Sequence, residues 1–149
     1  MKIYLGADHA GFQLKEVVMA HLSKLGHDVE DDGDRQLDPE DDYPHFAYAV
    51  TTKVLGDEDS DARGILLCGS GQGMCIAANR VRGIRASLCW NEDVARETRN
   101  DNNSNVLCVP ARVLTEDEAL KIIDTWLATP FSGAARHVRR LREIEELYG

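Results

Sequence analysis

Gly64-Ile-Leu-Leu-Cys68-Gly69-Ser70-Gly71-Gln72-Gly73 decides how this chain folds. Its first half is a short apolar run, the mark of a strand buried on both faces. Its second half is a glycine-rich turn with a helix-like stretch behind it, Met74 to Arg82. Alternating glycines let the backbone curl until several N–H groups point into one concave space. The start of a helix adds partial positive charge there. Such a turn suits a phosphate or an oxyanion formed during a reaction. Cys68 stands at its mouth, where the same field favours a thiolate, and Ser70 adds a hydroxyl nearby. A tight turn with no ligand is the plainer alternative.

Outward from this segment, strand-like and helix-like runs alternate along the chain. Lys2–Leu5 reads as a strand and Phe12–Leu25 as a helix with an imperfect apolar stripe, closed by Gly26. His27–Glu30 reads as a second strand. A helix is expected from Tyr43 or Pro44 to Leu55, since proline fits a first helical turn. Ile84–Leu88 and Val106–Val109 supply strands four and five. Asn91 is placed to cap a helix reaching about Asn100, and the polar run Asn100–Asn105 reads as a loop. Thr115-Glu116-Asp117-Glu118 has the form of a capping box that opens a helix to Leu127. After Gly133, the spacing of Val138, Leu141, Ile144 and Leu147 is helical. This alternation implies an α/β protein, a parallel sheet with helices on both faces, in a single domain over residues 1–149. In such folds ligands bind beyond the carboxyl ends of the strands.

Composition narrows the function classes. A formal net charge of −9 disfavours nucleic acid, whose backbone needs a basic face. No apolar run approaches a membrane span, and the first residues lack a signal-peptide core. A cytoplasmic location and no membrane partner are therefore expected. Cys68, Cys75, Cys89 and Cys108 form no Cys-x-x-Cys pair, and no histidine stands at zinc-ligand spacing. No metal is expected, and the last three cysteines read as reduced, buried small hydrophobes. The acidic runs Glu30–Asp34, Asp38–Asp42 and Asp57–Asp61 read mostly as solvated loops. His21, His27 and His45 read as structural, and Trp90 and Trp126 as core or interface residues. Arginines near the carboxyl terminus, in an acidic chain, point to a small anionic ligand.

Three groups of residues carry candidate chemistry. Gly6-Ala7-Asp8-His9-Ala10-Gly11 follows strand one but lacks the nucleotide-loop pattern Gly-x-Gly-x-x-Gly and any following Lys-Ser or Lys-Thr. What remains is an Asp8–His9 pair on a tight turn. Asp8 suits a sugar hydroxyl and His9 a phosphate; alternatively Asp8 caps the next helix and His9 is solvated. Cys68, Gly69, Ser70, Gly71 and Gly73 form the second group. Arg136 and Arg140, four apart, share a helical face suited to a terminal phosphate, with Arg112 after strand five able to join them. The other reading pairs the carboxyl-terminal arginines with Glu143, Glu145 and Glu146. Asp101 and Asn102 precede strand five, so they reach a neighbouring subunit's site more easily than their own.

In order and spacing, these motifs resemble the ribose-5-phosphate isomerase type B family, which includes the galactose-6-phosphate isomerase subunits. The matching segments are Gly6–Gly11, Asp42-Tyr43-Pro44, Cys68–Gly73 with Ile76-Ala77-Ala78-Asn79, Gly83-Ile84-Arg85-Ala86, and Gly133 through Arg140. The resemblance implies a Rossmann-like three-layer α/β/α sandwich with a five-stranded parallel sheet. It also implies no cofactor, a homodimer that can pair into a tetramer, sites between subunits, and a carboxyl-terminal helix reaching the partner. It implies aldose–ketose isomerisation of a sugar phosphate through a cis-enediolate. One branch of the family uses a cysteine base at the position of Cys68, and another a glutamate at the position of Met74. Methionine abstracts no proton, so the implied base is Cys68, and some lowering of its pKa by the turn is required. Ser70 and the N–H groups of Gly71 and Gly73 would stabilise the enediolate oxygen. Asp8, Tyr43, Gly69 and Asn102 are implied substrate contacts, and His9, Arg112, Arg136 and Arg140 the phosphate ligands.

The chain departs from the pattern at one place. Members acting on ribose 5-phosphate usually carry His-Asn where this chain has Asp101-Asn102, and that histidine is assigned to opening the furanose ring. Asp101 can still shuttle a proton as a catalytic residue, although an aspartate is a poorer acid near neutrality. Ribose 5-phosphate remains the family default. A tetrose 4-phosphate, which cannot form a furanose because its O4 is esterified, is the alternative. A non-catalytic sugar-phosphate-binding subunit is a further one, and a flavodoxin-like nucleotide binder the weakest.

Overall fold

In the computed structural model, which describes residues 1–59 and 61–148, five parallel strands form one sheet. The elements are β1 (Lys2–Ala7), α1 (Phe12–Lys24), β2 (Asp28–Asp31), α2 (Tyr43–Gly56), β3 (Arg63–Cys68), α3 (Gln72–Ala78), β4 (Ala86–Leu88), α4 (Glu92–Asn102), β5 (Val106–Pro110), α5 (Glu116–Ala128) and α6 (Ala135–Tyr148). The strand order is β2-β1-β3-β5-β4. Strands β1, β3 and β5 lie at the centre and are almost wholly buried. This explains why their sequences are continuous apolar runs.

Alternate side chains of these strands feed two cores. Ile3, Leu5, Ile65, Leu67, Leu107 and Val109 pack with Leu14, Val18 and Leu22 of α1 and with Ile122, Ile123 and Trp126 of α5. Leu66, Val106 and Cys108 pack on the other face with Val50 and Val54 of α2 and with Met74 and Ala78 of α3. Cys68 belongs to this second face. Helices on both faces, as the alternation of the sequence requires, leave only the two strand ends open to ligands.

Several local readings are met and several are corrected. Asn91 accepts a hydrogen bond from the Val94 N–H, and Thr115 and Glu118 close the capping box. Gly26 adopts φ +84° after α1. All four cysteines are free, with Cys89 and Cys108 fully buried. Strand β2 begins one residue later than expected, and β4 begins at Ala86. Helix α3 stops at Ala78 rather than Arg82, because Arg80 and Val81 turn back on the carbonyls of Ala77 and Ala78. The expected loop Asn100–Asn105 is helical as far as Asn102. There Asn103, at φ +47°, ends α4 by donating its N–H to the Arg99 carbonyl. Trp126 is core, its indole N–H bonded to Ser104 Oγ at 2.8 Å, whereas Trp90 is exposed.

Most described residues of Asp38–Asp42 and Asp57–Asp61 are exposed, as expected of solvated loops, whereas Glu30–Asp34 is half-buried. Glu30, Asp31 and Asp32 sit at the sheet's edge strand and beyond it. Asp31 pairs with the buried Lys15 at 2.7 Å, and Lys53 bonds both Glu30 and Asp32. Charge on an edge strand also discourages pairing with another sheet.

Candidate functional site

The loops after β1, β3 and β5 meet at the carboxyl end of the sheet. Strands β1 and β3 are neighbours whose following helices, α1 and α3, lie on opposite faces, so a crevice opens between them. Backbone hydrogen bonds fix the three loops together. Asp8 N–H donates to Leu67 O at 3.2 Å, Ala111 N–H to Cys68 O at 2.9 Å, and Arg112 N–H to Gly69 O at 3.0 Å. A β-carbon at Gly11 would lie 2.4 Å from Leu67 O, so only glycine allows the first loop this close.

Asp8 is buried, and its Oδ1 accepts the N–H groups of Ala10 at 2.9 Å and Gly11 at 3.1 Å. The helix-entry role therefore applies to one oxygen. Burial raises the Asp8 pKa against the opposing pull of these N–H groups. His9 Nδ1 lies 2.7 Å from Asp41 Oδ1, and this contact raises the imidazole pKa; Asp8 adds to the effect and Arg112 opposes it.

Cys68 is buried, at 5% exposure, inside the turn it opens. The turn depends on Gly71, at φ +75°, where a β-carbon would fall 2.3 Å from Leu88 Cδ1. The backbone N–H groups of Met74 and Gly71 face the sulfur and favour the thiolate. Burial outweighs them, and the Cys68 thiol is pushed up rather than down, with Asp8 adding to the rise. The expectation of a lowered pKa is thus corrected: the N–H groups are present, but depth in an apolar core wins. The acidified thiol is Cys75, held to about 7 by a hydrogen bond from Cys108. Its sulfur lies 3.5 Å from the Ala86 carbonyl, on the β4 side of α3.

Ser70 is exposed, and its Oγ accepts the Gln72 N–H at 3.4 Å. Arg112 lies over Gly69, where a β-carbon would be 3.1 Å from its Nη1. The ring of Tyr43 covers Gly73 in the same way, at 2.9 Å from its Cζ. The glycines at 69 and 73 are thus the floor on which an arginine and a tyrosine rest. Asp8, His9, Tyr43, Cys68, Gly69, Ser70, Gly71, Gly73 and Arg112 come together at this one end.

The other four candidate residues do not join them. Asp101 and Asn102 end α4, which runs back from the carboxyl end of β4, so they lie at the amino-terminal edge of the sheet. Asp101 accepts a hydrogen bond from Asn100 Nδ2 at 2.6 Å and stands 3.4 Å from Nδ1 of the buried His137. Ser132 N–H donates to Asn100 O, which docks the start of α6 beside them. On α6, Arg139 pairs with Glu143 at 3.7 Å and Arg142 with Glu146 at 3.3 Å. Arg136 and Arg140 are exposed, with no ion pair among the described residues. The alternative of pairing on a solvated helix thus applies to Arg139 and Arg142 and leaves the two candidates free.

Sequence reasoning missed two residues. Asp41 is one of four acids in Asp38–Asp42 and stands next to the recognised Asp42-Tyr43-Pro44 segment. That adjacency was the available signal. His137, inside the Gly133–Arg140 segment, was passed over because its partner Asp101 is distant in sequence.

Fold and site together define an α/β/α protein with a glycine-floored crevice holding a buried thiol, an Asp–His pair and an arginine. A family model described as Ribose/Galactose Isomerase matches residues 3–144, and the chain belongs to that family. It is 44% identical over 146 residues to ribose-5-phosphate isomerase B of Mycolicibacterium paratuberculosis, covering 98% of this chain and 91% of the relative. Its structure superposes with TM-score 0.92 on ribose-5-phosphate isomerase B from Mycoplasma genitalium with bound ribulose-5-phosphate, at 41% identity over 97% of this chain and 94% of that one. The score is also 0.92 against a ribose 5-phosphate isomerase from Thermotoga maritima, at 48% identity over 98% of both chains. The family is one of aldose–ketose isomerases, and this chain is an enzyme of that kind.

Proposed function

We propose that this isomerase interconverts ribose 5-phosphate and ribulose 5-phosphate. The observation that carries the reading is the buried Cys68 sulfur facing two backbone N–H groups beside Asp8, His9 and Arg112. In the open-chain aldose, the Cys68 thiolate takes the proton from C2. Electrons of that C–H bond form the C1–C2 double bond of a cis-enediolate, and charge moves to the C1 oxygen. Backbone N–H groups of the Gly71–Gly73 turn, with the Ser70 hydroxyl, stabilise that charge. The Cys68 thiol then returns the proton to C1, and the hydroxyl proton passes from O2 to O1. Asp8, Tyr43, Gly69 and Asn102 hold the sugar. His9, Arg112, Arg136 and Arg140 hold the phosphate, which fixes the chain length of the substrate.

The two sets of residues lie at opposite ends of the sheet, so the complete site takes one set from each of two chains. The working form in this reading is a cytoplasmic homodimer, able to pair into a tetramer, and α6 carries Arg136 and Arg140 to the partner. No cofactor takes part.

A second reading rests on Asp101, which occupies the place of the ring-opening histidine. A tetrose 4-phosphate has no furanose form and needs no ring-opening acid. Initial rates on ribose 5-phosphate and erythrose 4-phosphate separate the two. Turnover of the pentose supports the main reading; turnover of the tetrose alone overturns it in favour of the second.

A further inference from the structure

The least expected polar contact in the molecule is between His9 and Asp41. Asp41 comes from the segment before α2 and its side chain is only 4% exposed. One oxygen, Oδ1, is 2.7 Å from His9 Nδ1, and Oδ2 is buried with no hydrogen-bond partner among the described residues. A buried carboxylate with one bare oxygen is costly unless a cation faces it. Among the described residues, the only side chain bonded to it is His9, whose own side chain keeps one-third of its exposure. Three charged groups face that imidazole: Asp41 from the α2 approach, Asp8 from its own loop, and Arg112 from the loop after β5. The two carboxylates favour its protonated form and the guanidinium opposes it.

The geometry points to Asp41 as a positioning residue for phosphate recognition: it fixes His9 through Nδ1 and leaves Nε2–H as the ring's free donor toward the substrate phosphate. This deepens the proposed function and rests on it for the identity of the anion. A neutral imidazole with Nδ1–H on Asp41 has a bare acceptor at Nε2, which repels a phosphate oxygen. With both nitrogens protonated, His9 brings a donor and a positive charge to a crevice where Arg112 is the other cation from the same chain. Asp41 thus decides which tautomer and charge the substrate meets, without touching the substrate. Asp8 acts on His9 through charge alone: its Oδ1 accepts the N–H groups of Ala10 and Gly11, and the hydrogen bond of the imidazole is with Asp41.

The test is a proton–nitrogen NMR titration of the imidazoles in the wild-type protein and in Asp41→Asn, with His9→Gln assigning the His9 signals. His9 should titrate above the ordinary value of 6.5 in the wild type and at a lower pH in Asp41→Asn. Kinetics on ribose 5-phosphate at pH 7.5 should show KM raised about tenfold and kcat within about twofold. In the His9→Gln background, Asp41→Asn should add nothing further to KM. A His9 titration at or below 6.5 in the wild type, or one unmoved by Asp41→Asn, overturns the inference. So does a KM penalty that persists in full without His9, which marks a merely structural carboxylate. Should Asp41→Asn not fold, the wild-type titration and Asp41→Glu decide. If ribose 5-phosphate is not turned over at all, the proposed substrate fails, while the His9 titration still reads the Asp41 contact.

Discussion

The two ends of the sheet carry the same kinds of residue in opposite states. At the carboxyl end, acid, imidazole and thiol are buried or half-buried and partnered within the chain, as in Asp8 with two N–H groups and His9 with Asp41. At the amino-terminal edge, Arg136 and Arg140 stand exposed on a helix while their neighbours Arg139 and Arg142 are paired. The first set is preorganised by three loops on a rigid sheet, which is what a reacting centre needs. The second is a pair of exposed guanidinium groups with no ion-pair partner among the described residues. In the proposed dimer, the difference separates what one chain builds from what it offers to another.

The largest effect expected from this division is on the thiol. Cys68→Ala should lower kcat on the true substrate by at least about a thousandfold and leave inorganic phosphate binding within about twofold of wild type. A variant that keeps a tenth of its turnover would remove Cys68 as base. Mixing then tests whether the ends belong to different chains. Cys68→Ala and the double variant Arg136→Ala/Arg140→Ala should each be nearly inactive alone. Co-refolded in equal amounts, they should recover roughly a quarter of wild-type activity, since half the dimers hold one intact site of two. No recovery, with dimers verified by sedimentation, would place the whole site within one chain.

The pH dependence sharpens the picture of the carboxyl end. Because burial raises the Cys68 pKa above the 9.0 of a free thiol, the thiol form dominates at neutrality in the free enzyme. With the Cys68 thiolate as the proposed base, kcat/KM should climb about tenfold per pH unit from pH 7 toward 9. An activity flat over that range would mean the thiol is already ionised, and that the turn's N–H groups outweigh burial after all.

How much of this could be read from the sequence follows the same division. The strand and helix alternation was legible because burial on both faces forces apolar runs and a helical period forces stripes. The thiol turn was legible because three alternating glycines have few other uses. What stayed hidden depends on depth and direction. Asp41 looks like its three acidic neighbours, and only the path of the chain into α2 turns its carboxylate inward to His9. Cys68 looked activated because sequence shows the adjacent turn but not the core behind it. Asn100–Asn102 looked like a loop because their composition is polar, whereas tertiary contacts carry α4 through Asn102.

The turn that joins the two views is sensitive to a single methyl group. Gly71→Ala sets a β-carbon 2.3 Å from Leu88 Cδ1 at a positive φ. It should cost about 2 kcal/mol of stability and shift Gly71 N–H away from the Cys68 sulfur. Denaturant unfolding alongside kcat would register both losses together. Unchanged stability would show that the turn has room and that its geometry is not fixed by Leu88.

The smallest effect expected belongs to neither end's chemistry, and it serves as the control. Thr115 caps α5, its hydroxyl accepting the Glu118 N–H at 3.3 Å while Glu118 reaches back to the Thr115 N–H at 2.8 Å. Removing the hydroxyl in Thr115→Ala leaves a helix-end N–H without its partner, at a cost of about 1 kcal/mol. Helix α5 packs on the sheet face opposite to Cys68, so a rigid sheet should keep that loss away from the crevice. The urea midpoint should fall while kcat and KM stay within about twofold of wild type. A parallel loss of activity would show that the crevice draws on global stability, and that the carboxyl end is less preorganised than its hydrogen bonds imply.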